Sequence, residues 1–469
     1  MRTERDSMGD MSVPDDALYG ASTQRAVMNF PVSGRPLPEP FIRGLGLVKQ
    51  ACAAANEELG LLNTEKSRLI QQIAREIADG KLTEHFPIDV FQTGSATSTN
   101  MNANEVISNR ASQLAGKPIG SKIPLHPNDD VNLGQSSNDV IPTVLHVSVA
   151  VALHSKLKPA LAKLSEELDR KAAGWQQVVK IGRTHLMDAT PLTLGQEFSG
   201  YARQAQKATE RCERAISALG ELAIGGTAVG TGINTDVRFG GTVARILSQE
   251  TGLSFREASN HFEAQGGRDD CVEVAGQLVA IAASLTKIAN DIRLLGSGPR
   301  AGLAEIKLVA TQPGSSIMPG KVNPVMSEML VQVCLYIQGL CVSVQTAGRD
   351  GHFELNVTLP LIAYCLHESV HCLANAVRIF TKQCVVGLEA DAARCRELVD
   401  RSLMLVTALN PRIGYDAAAS VAKEAYATGK TIRSIVLEKK LLDAVLLDQV
   451  LEPLSMTQPG NSHSGAGGG

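Results

Sequence analysis

The sequence predicts an all-α fold in which a long central helical bundle is flanked by two smaller, mostly helical domains. Aromatic residues make up only 4% of the 469 residues, while Ala, Leu, Val and Ile dominate long segments that contain few turn signals. Such segments favour helices packed on helices. Segment 270–297 shows the pattern best, because its apolar residues recur at alternating steps of three and four, as in a heptad seam.

The seam of segment 270–297 has a row of small residues beside it. Ala275, Ala282 and Ala289 recur every seven residues, which places them on one helix face where a second helix could come close. Gly296 and Pro299 should then end the helix. The residues of the seam itself are Cys271, Val274, Leu278, Ile281, Leu285, Ile288, Ile292 and Leu295.

Four further long helices are expected in the bundle. Pro142 suits the first turn of the first of them, and Pro159 should kink it. At about 1.5 Å per residue these helices would form a rod ~40 Å or more in length. Its apolar faces would allow bundles to associate in an oligomer. The four segments are 141–170, 192–222, 324–346 and 361–382.

Three domains follow from this arrangement. We expect an N-terminal domain with polar loops over residues 1–135, the central bundle domain over 136–395, and a small C-terminal helical domain over 396–469. The last ten residues, GNSHSGAGGG, contain nothing to bury and are expected to form a flexible tail.

Charge and composition exclude several classes of function. The formal net charge is -3 and the isoelectric point is near 6.4, so no basic field recruits nucleic acid or a membrane surface. The N-terminus MRTERDSMGD has no apolar core, and no apolar run is expected to reach the roughly 18 residues of a membrane span. We therefore expect a soluble, cytoplasmic protein. The nine cysteines include no CxxC pair, which favours reduced thiols and predicts neither a metal nor a cofactor.

The strongest candidate for chemistry is a loop of small residues, Gly314–Pro324 (GSSIMPGKVNP), hereafter the GSS loop. It sets two hydroxyls, a lysine and an asparagine close together. Gly314 and Gly320 let the backbone amides approach a ligand. Asn323 followed by Pro324 predicts an N-cap and a first helical residue, so the loop would end at the positive end of a helix dipole. An anion would be favoured there.

Three more polar segments interrupt the apolar chain. Each alone could be ordinary capping and turn material. Ser136, Ser137 and Asn138 could simply cap the helix that follows, and His185 could be a satisfied core histidine. Four such segments with a histidine, a lysine and many neutral donors could nevertheless surround a small dianion. The three segments are Thr93–Asn104 (TGSATSTNMNAN), His126–Asp139 (HPNDDVNLGQSSND) and Gly182–Asp188 (GRTHLMD).

Taken together, the four segments resemble the fumarase/aspartase superfamily, and within it class II fumarate hydratase. The matching blocks include GSSIMPGKVNP, TGSATSTNMNANEVISNR, HPNDDVN, QSSND and KIGRTHLMDATPLTLGQEFSGYARQ. The resemblance runs from DALYGASTQRA near the start, through ELAIGGTAVGTGIN and FELNV, to LNPRIGY. It implies reversible, stereospecific addition of water to fumarate, giving (S)-malate in the citric acid cycle. It also implies a homotetramer whose active sites are shared between subunits.

The resemblance implies three catalytic residues. Ser315 matches the serine that exchanges the proton on the carbon next to a carboxylate, and His185 matches the histidine that handles the water, with Glu328 as its acidic partner. Serine is a poor base, so the cationic, amide-rich loop must raise the acidity of its hydroxyl. The unperturbed pKa of histidine is already near 6.5. Without the family match, Glu328 could be an ordinary exposed helix carboxylate.

Further positions match the substrate-binding residues of the family and a second anion-binding loop. Lys321 and Asn323 are suited to neutralising the doubly charged carboxylate that forms when the proton leaves, and one preorganised donor of this kind contributes about 3 to 4 kcal/mol. The substrate-binding positions are Ser95, Ala96, Thr97, Asn100, Ser136, Ser137, Asn138, Thr184, Ser316, Lys321 and Asn323. The second anion-binding loop consists of His126, Pro127, Asn128 and Asp129.

The chain departs from the usual fumarase pattern in three places. Ala96 stands where glycine is usual, which adds a methyl group beside the substrate. VNLGQSS replaces a more polar sequence, and IQGLC follows the GSS loop where IGND is common. None of these changes touches the proposed acid, base or lysine.

Three other functions stay open. Aspartate ammonia-lyase shares the fold and the GSS loop, although TGS at 93–95 and SSN at 136–138 resemble fumarases, whereas aspartases tend to show GGA and STN. HESVH at His367–His371 matches the HExxH motif of zinc peptidases, but no third ligand is evident. The last alternative is a helical scaffold of this fold that has lost catalysis.

Overall fold

Helices dominate the structure, a computed structural model that describes residues 1–459. The tail expected at residues 460–469 lies outside the described residues. Within the described chain every sheet has only two strands, so the predicted all-α class is confirmed. The small sheets were not predicted.

The helices are numbered in chain order. Two π-helical turns, Pro127–Val131 and Leu153–Leu157, lie between them. The helices are α1 Ala21–Asn29, α2 Glu39–Glu58, α3 Thr64–Ala78, α4 Thr97–Leu114, α5 Ser137–Ala152, α6 Lys158–Gly174, α7 Leu194–Ala218, α8 Phe239–Thr251, α9 His261–Gly266, α10 Asp269–Leu295, α11 Val325–Gly348, α12 Leu359–Gln383, α13 Ala392–Arg401, α14 Asn410–Ile413, α15 Tyr415–Thr428, α16 Ile432–Glu438 and α17 Ala444–Val450.

The strands of residues 1–459 form five pairs, of which only β5 with β6 is parallel. The pairs are β1 with β2, β3 with β4, β5 with β6, β7 with β10, and β8 with β9. The strands are β1 Arg2–Asp6, β2 Gly9–Val13, β3 Val179–Thr184, β4 Met187–Thr193, β5 Glu221–Leu222, β6 Arg256–Glu257, β7 Ile306–Lys307, β8 Gly351–His352, β9 Leu355–Asn356 and β10 Glu389–Ala390.

The chain divides into two compact units. Unit 1 contains residues 1–160, 208–283 and 333–375, and unit 2 contains residues 161–207, 284–332 and the chain from 376 onward. Helices α6, α7, α10, α11 and α12 contribute residues to both units. This division follows compactness rather than chain order, and the three domains drawn from the sequence stay a prediction.

In unit 1, glycines let helix α2 lie close to its neighbours. A Cβ atom at Gly46 would come within 2.5 Å of the backbone nitrogen of Ala78, at the end of α3. A Cβ atom at Gly44 would come within 2.6 Å of the Cβ of Ser148 on α5. Because real Cβ atoms do not approach so closely, any larger residue would push these helices apart. Helix α2 is therefore firmly seated between α3 and α5.

Helix α10 confirms the predicted seam. All eight seam residues are at most 4% exposed, and Ala275, Ala282 and Ala289 are fully buried. The helix ends at Leu295, directly before Gly296. Burial on both rows explains why this helix was so clear in the sequence.

The first predicted bundle helix differs at its start and contains the expected break. Helix α5 begins at Ser137, because Ser136 and Asp139 form a reciprocal capping box there. The prediction that Pro142 lies in the first turn is therefore wrong, since it is the sixth helical residue. The break expected at Pro159 is present as the π-helical turn Leu153–Leu157, after which α6 begins.

The expectation that no apolar run reaches the length of a membrane span is wrong by length and composition. Three helical stretches qualify, with mean hydropathies of 1.5 to 1.6: Ser137–Gly174, Asp269–Leu295 and Val325–Gly348. The most apolar window of each stretch contains at most two charged residues, so its mean hydropathy stays high. In the first stretch 78% of the most apolar window is buried inside the chain, but in Val325–Gly348 only 28% is. Helix α11 therefore leaves much of its apolar surface uncovered in a single chain.

Candidate active site

Three of the predicted hydroxyl residues meet in unit 1. The Oγ1 atom of Thr97 lies 2.7 Å from the Oγ of Ser95 and 2.7 Å from the Oγ of Ser137. Thr97 is the first residue of α4 and Ser137 is the first residue of α5. Two helix N-termini therefore meet at these hydroxyls, which favours negative charge.

Ala96 precedes α4 in a left-handed conformation, with φ of 52° and ψ of 28°, and is fully buried. This region costs an L-residue about 1 to 2 kcal/mol, whereas glycine adopts it freely. Alanine in place of the usual glycine at position 96 therefore raises the conformational free energy of the backbone. The added methyl group is enclosed by protein in the isolated chain.

The segment Ser136–Asn138 caps a helix and also bonds to a second segment of the chain. The Ser136 hydroxyl accepts a hydrogen bond from the backbone of Asn138 at 3.2 Å, so the capping alternative holds for this residue. The Asn138 side chain instead donates to the carbonyl of Ala228 at 2.8 Å. Asn138 thus connects the start of α5 to the glycine-rich segment 223–232.

Asp139 is a residue that the sequence reasoning missed. Its carboxylate is fully buried and accepts hydrogen bonds from the backbone of Ser136, Gly225 and Thr227 at 2.9 to 3.1 Å. Burial raises the pKa of Asp139 to about 6, although these donors act in the opposite direction. Asp139 fixes the glycine-rich segment against α5, and the Ser-x-x-Asp pattern of a capping box could have revealed it.

Asn132 is a second residue that the sequence reasoning missed, and it fixes the side chain of Asn100. The Asn100 amide donates to the Oδ1 of Asn132 at 3.1 Å, and the amide of Asn104 donates to the same atom at 3.2 Å. The Oδ1 atom of Asn100 is buried and has no hydrogen-bond partner within residues 1–459. This acceptor can take a bond from a ligand or a water molecule.

The loop from His126 to Asp129 enters the π-helical turn and satisfies its own polar groups. The ring Nδ1 of His126 accepts from the backbone of Asp129 at 3.1 Å. The backbone of His126 donates to Asp130, which also pairs with Lys66 at 2.7 Å. Pro127 and Asn128 border a cavity of about 350 Å³ that has acidic and basic side chains in its wall. Anion binding by this loop stays a prediction.

In unit 2, Thr184 and His185 lie at the tip of the β3–β4 hairpin. His185 and Leu186 have φ angles of 58° and 61°. Two-residue hairpin turns with two positive φ angles strongly prefer Asn and Gly. His185 is exposed, so it is not a satisfied core histidine. A strained turn that presents an exposed histidine is a feature typical of functional sites.

Ion pairs with buried members anchor strand β3 of this hairpin. Arg183, directly before Thr184, donates to both carboxylate oxygens of Glu305 at 2.8 and 3.1 Å, and Glu305 is fully buried. Lys180 on β3 pairs with Glu197 of α7 at 2.6 Å. The bidentate geometry of the arginine fixes the direction in which the hairpin projects.

The GSS loop closes on itself. The backbone of Gly314 donates to the carbonyl of Lys321 at 3.0 Å, and the Asn323 side chain donates to the carbonyl of Gly314 at 2.7 Å. A Cβ atom at Gly314 would lie 2.2 Å from that lysine carbonyl, so only glycine fits, while Gly320 has a φ of 80°. The backbone thus requires glycine at 314 and favours it at 320, while the predicted approach of the loop amides to a ligand stays a prediction.

The hydroxyl of Ser315 faces the backbone of its own loop. Its Oγ accepts from the backbone N–H groups of Met318 at 3.1 Å and Ile317 at 3.3 Å. Two such donors favour negative charge on the oxygen, which is the condition for serine to act as a base. Ser316 and Lys321 are exposed beside it.

The predicted cap of α11 is wrong by one residue. The first helical bond runs from the backbone of Glu328 to the carbonyl of Pro324 at 3.1 Å, which makes Pro324 the capping residue. The Asn323 side chain is already used to close the GSS loop. Glu328 lies in the first turn of α11. Within residues 1–459, no hydrogen bond or ion pair joins Glu328 to His185.

The HESVH motif has structural partners. His367 is buried, and its Nε2 lies 2.8 Å from the Oγ of Ser148. The Nε2 of His371 accepts from the Asn375 amide at 3.0 Å. Burial lowers the pKa of His367 to about 3, so it stays neutral. This geometry does not support a zinc peptidase, and the described chain holds no cluster of three or more potential metal ligands.

Comparisons with known proteins account for nearly the whole chain. Residues 9–339 match the model of a lyase family, and residues 405–458 match the fumarase C C-terminal domain. Fumarate hydratase class II 1 of Pseudomonas aeruginosa is 50% identical over 460 residues, which are 98% of this chain and 99% of that protein. The chain belongs to the class II fumarate hydratase family.

Other members of this family confirm the assignment. Human mitochondrial fumarate hydratase is 48% identical over 98% of this chain and 90% of its own length. The crystal structure of a class II fumarase from Schistosoma mansoni has a TM-score of 0.94 at 40% identity, over 97% of this chain and 99% of that one. Class II fumarate hydratases are hydro-lyases of the fumarase/aspartase superfamily, so the sequence resemblance is confirmed.

Proposed function

We propose that the chain catalyses the reversible, stereospecific addition of water to fumarate, giving (S)-malate in the citric acid cycle. The observation that carries the proposal is the hydroxyl of Ser315, which accepts two backbone N–H groups inside a closed, glycine-dependent loop. Ser315 removes or returns the proton on the carbon next to a carboxylate. The charge that builds up on that carboxylate is neutralised by Lys321, by Asn323 and by the amides of the loop.

His185 handles the water in this proposal. It is exposed at the tip of an anchored hairpin, where its ring can reach a substrate. A neutral imidazole can take a proton from water in the forward reaction and return it to the malate hydroxyl in the reverse reaction. Glu328 serves as the acidic partner that orients the ring. Because no hydrogen bond or ion pair joins the two residues within residues 1–459 of one chain, we expect the partner glutamate to come from another subunit.

The carboxylates of the substrate are bound by neutral donors. The hydroxyl of Thr97 already lies 2.7 Å from that of Ser95 and 2.7 Å from that of Ser137, and each of the three can donate to an anion. Asn138 is a further neutral donor in unit 1, and Thr184, Ser316 and the other predicted positions stay predicted substrate-binding residues. Neutral donors at helix N-termini bind a dianion without requiring a buried counter-ion for every charge.

A homotetramer with shared active sites follows from the same proposal. Helix α11 has the highest mean hydropathy of the three long apolar stretches and the least burial. An apolar helix of this length that one chain leaves largely uncovered is best covered by copies of the same chain. We retain cytoplasmic location, the second anion-binding loop and the three-domain division as predictions.

The first experiment follows the absorbance of the fumarate double bond with malate and with aspartate as substrates. We expect turnover of malate and loss of nearly all of it in Ser315→Ala, with the assembly unchanged. Ser434→Ala, a hydroxyl deletion in α16, serves as the matched control and should keep full activity. Turnover of aspartate alone would replace the proposal by an ammonia-lyase, and no turnover of either would favour an inactive scaffold.

Mixing two inactive variants tests the sharing of sites between subunits. Ser315→Ala and His185→Asn are unfolded together, refolded and assayed as a mixture. If the serine and the histidine of one site come from different subunits, random assembly restores about a quarter of the activity. If both come from one chain, random assembly still leaves no site intact, and the mixture stays inactive.

A further inference from the structure

Unit 1 contains a lysine that is buried without a counter-ion. Lys49 lies on α2 and is only 1% exposed. Its ammonium donates to two neutral oxygens, the Oδ1 of Asn132 at 3.1 Å and the Oε1 of Gln135 at 2.9 Å. Among the residues that the structure describes, no carboxylate lies within 4 Å of it. Burying an unpaired charge is costly, so such lysines are rare in protein interiors.

The two bonds of Lys49 join it to the hydrogen bonds that hold Asn100 and Asn104. Asn132 Oδ1 accepts from Lys49 and also from the amides of Asn100 and Asn104. The Asn132 amide then donates to the carbonyl of Gln135 at 3.0 Å. Lys49 thereby fixes the turn 132–135, which leads directly into the substrate-binding serines. The same contacts fix the Asn100 amide, so that its Oδ1 atom is the one left without a hydrogen-bond partner within residues 1–459.

The surroundings of Lys49 leave its charge uncompensated at close range. The titratable groups that influence it are Cys52, one turn further along α2, and Asp139 on α5. The Asp139 carboxylate is engaged by backbone N–H groups instead. Burial lowers the pKa of Lys49 to about 8, so the ammonium is charged at neutral pH but loses its proton in mild alkali.

We infer that Lys49 is a positioning residue for the hydration reaction, which orients Asn100 and the turn 132–135 and supplies a buried positive charge that favours binding of the dicarboxylate. The inference rests on the proposed function, because it assigns the substrate to the residues around Thr97. A positive charge that no carboxylate of residues 1–459 pairs with directly is complementary to a dianion bound nearby. The ammonium need not touch the substrate, since it shares an acceptor atom with Asn100.

The test compares Lys49→Met with Lys171→Met. Lys171 is the matched control, because it is 8% exposed, its pKa is also lowered by burial, and it donates to a neutral oxygen, the carbonyl of Leu388. For Lys49→Met we expect KM for malate and fumarate to rise at least tenfold, with a smaller fall in kcat. We expect the control to keep both constants within threefold of wild type.

The pH profile gives a readout that a purely structural role would not change. In wild type, kcat/KM should fall as pH rises through about 8, because Lys49 loses its charge there. This alkaline limb should be absent from Lys49→Met and present in Lys171→Met. A folded Lys49→Met protein with kcat/KM within threefold of wild type, or with an unchanged alkaline limb, would overturn the inference.

Asn132→Asp keeps the inference testable if Lys49→Met does not fold. The new carboxylate keeps an acceptor for Lys49 but neutralises its charge, so KM should again rise at least tenfold while the protein stays folded. An unchanged KM in this variant would overturn the role of the charge. If wild type itself fails to hydrate fumarate, the proposed function fails first, and that outcome is distinct from an active enzyme that tolerates both substitutions.

Discussion

Replacing Gly314 by alanine tests how closely the catalytic serine depends on its loop. The added Cβ would lie 2.2 Å from the carbonyl oxygen of Lys321, 3.0 Å from its carbonyl carbon and 3.1 Å from the backbone nitrogen of Asn323. All three neighbours are backbone atoms of the same loop, so no flexible side chain can move aside. The oxygen must retreat by more than 1 Å to reach an ordinary contact of 3.4 Å or more.

This retreat also breaks the hydrogen bond that the oxygen accepts from the backbone of Gly314, which is worth about 1 kcal/mol. Because a shift of about 1 Å at a reacting group lowers the rate about 100-fold, we expect kcat for malate to fall about 100-fold. The melting temperature should change little, since the loop is largely exposed. Gly174→Ala is the control, because its Cβ would meet nothing within 4 Å.

Activity is measured by the absorbance of fumarate, and folding by thermal unfolding and by the mass of the assembly. Retention of kcat within threefold by a folded Gly314→Ala protein would refute the reasoning. It would mean that the serine does not need the loop geometry in which it lies.

Three other outcomes are expected. Burial lowers the pKa of His146 and of His367 to about 3, so the unfolded chain binds more protons than the folded chain between pH 3 and 6.5. The contribution of the two neutral histidines to stability is therefore full above pH 6.5 and is lost as pH falls. Urea titrations from pH 7 to pH 4 measure this loss in the free energy of unfolding. Glu305→Gln removes the partner of Arg183 and should lower the free energy of unfolding by about 3 to 5 kcal/mol, measured by urea denaturation. Dialysis against a chelator should leave malate turnover unchanged, because both histidines of HESVH already bond protein groups; a loss that zinc restores would contradict this.

The helices could be predicted where burial and periodicity agree. In α10 the seam and the row of alanines are both buried, so the heptad pattern was unambiguous. The start of α5 was misplaced because Pro142 was taken as the signal, while the capping box of Ser136 and Asp139 acts six residues earlier. Local side-chain bonds to the backbone decide helix ends, and these bonds do not appear in an apolar pattern.

The β3–β4 hairpin could not be predicted from local sequence. Its turn contains neither glycine nor asparagine, because tertiary contacts, including the Arg183 to Glu305 pair, hold the strands in place. The GSS loop was clear because its glycines are required by the backbone. Lys49 was missed since a single lysine in a helix usually reaches solvent, and only the fold shows that this one does not.

The left-handed turn at His185 and Leu186 sets a limit on how stable this protein can become. Asn-Gly at these two positions would relieve the turn, and stability alone would favour that exchange. The exchange would also delete the proposed base. Selection for heat resistance without selection for turnover should therefore replace the histidine early. A thermostable relative that keeps the histidine must gain its stability elsewhere, for example in the ion pair of Arg183 with Glu305.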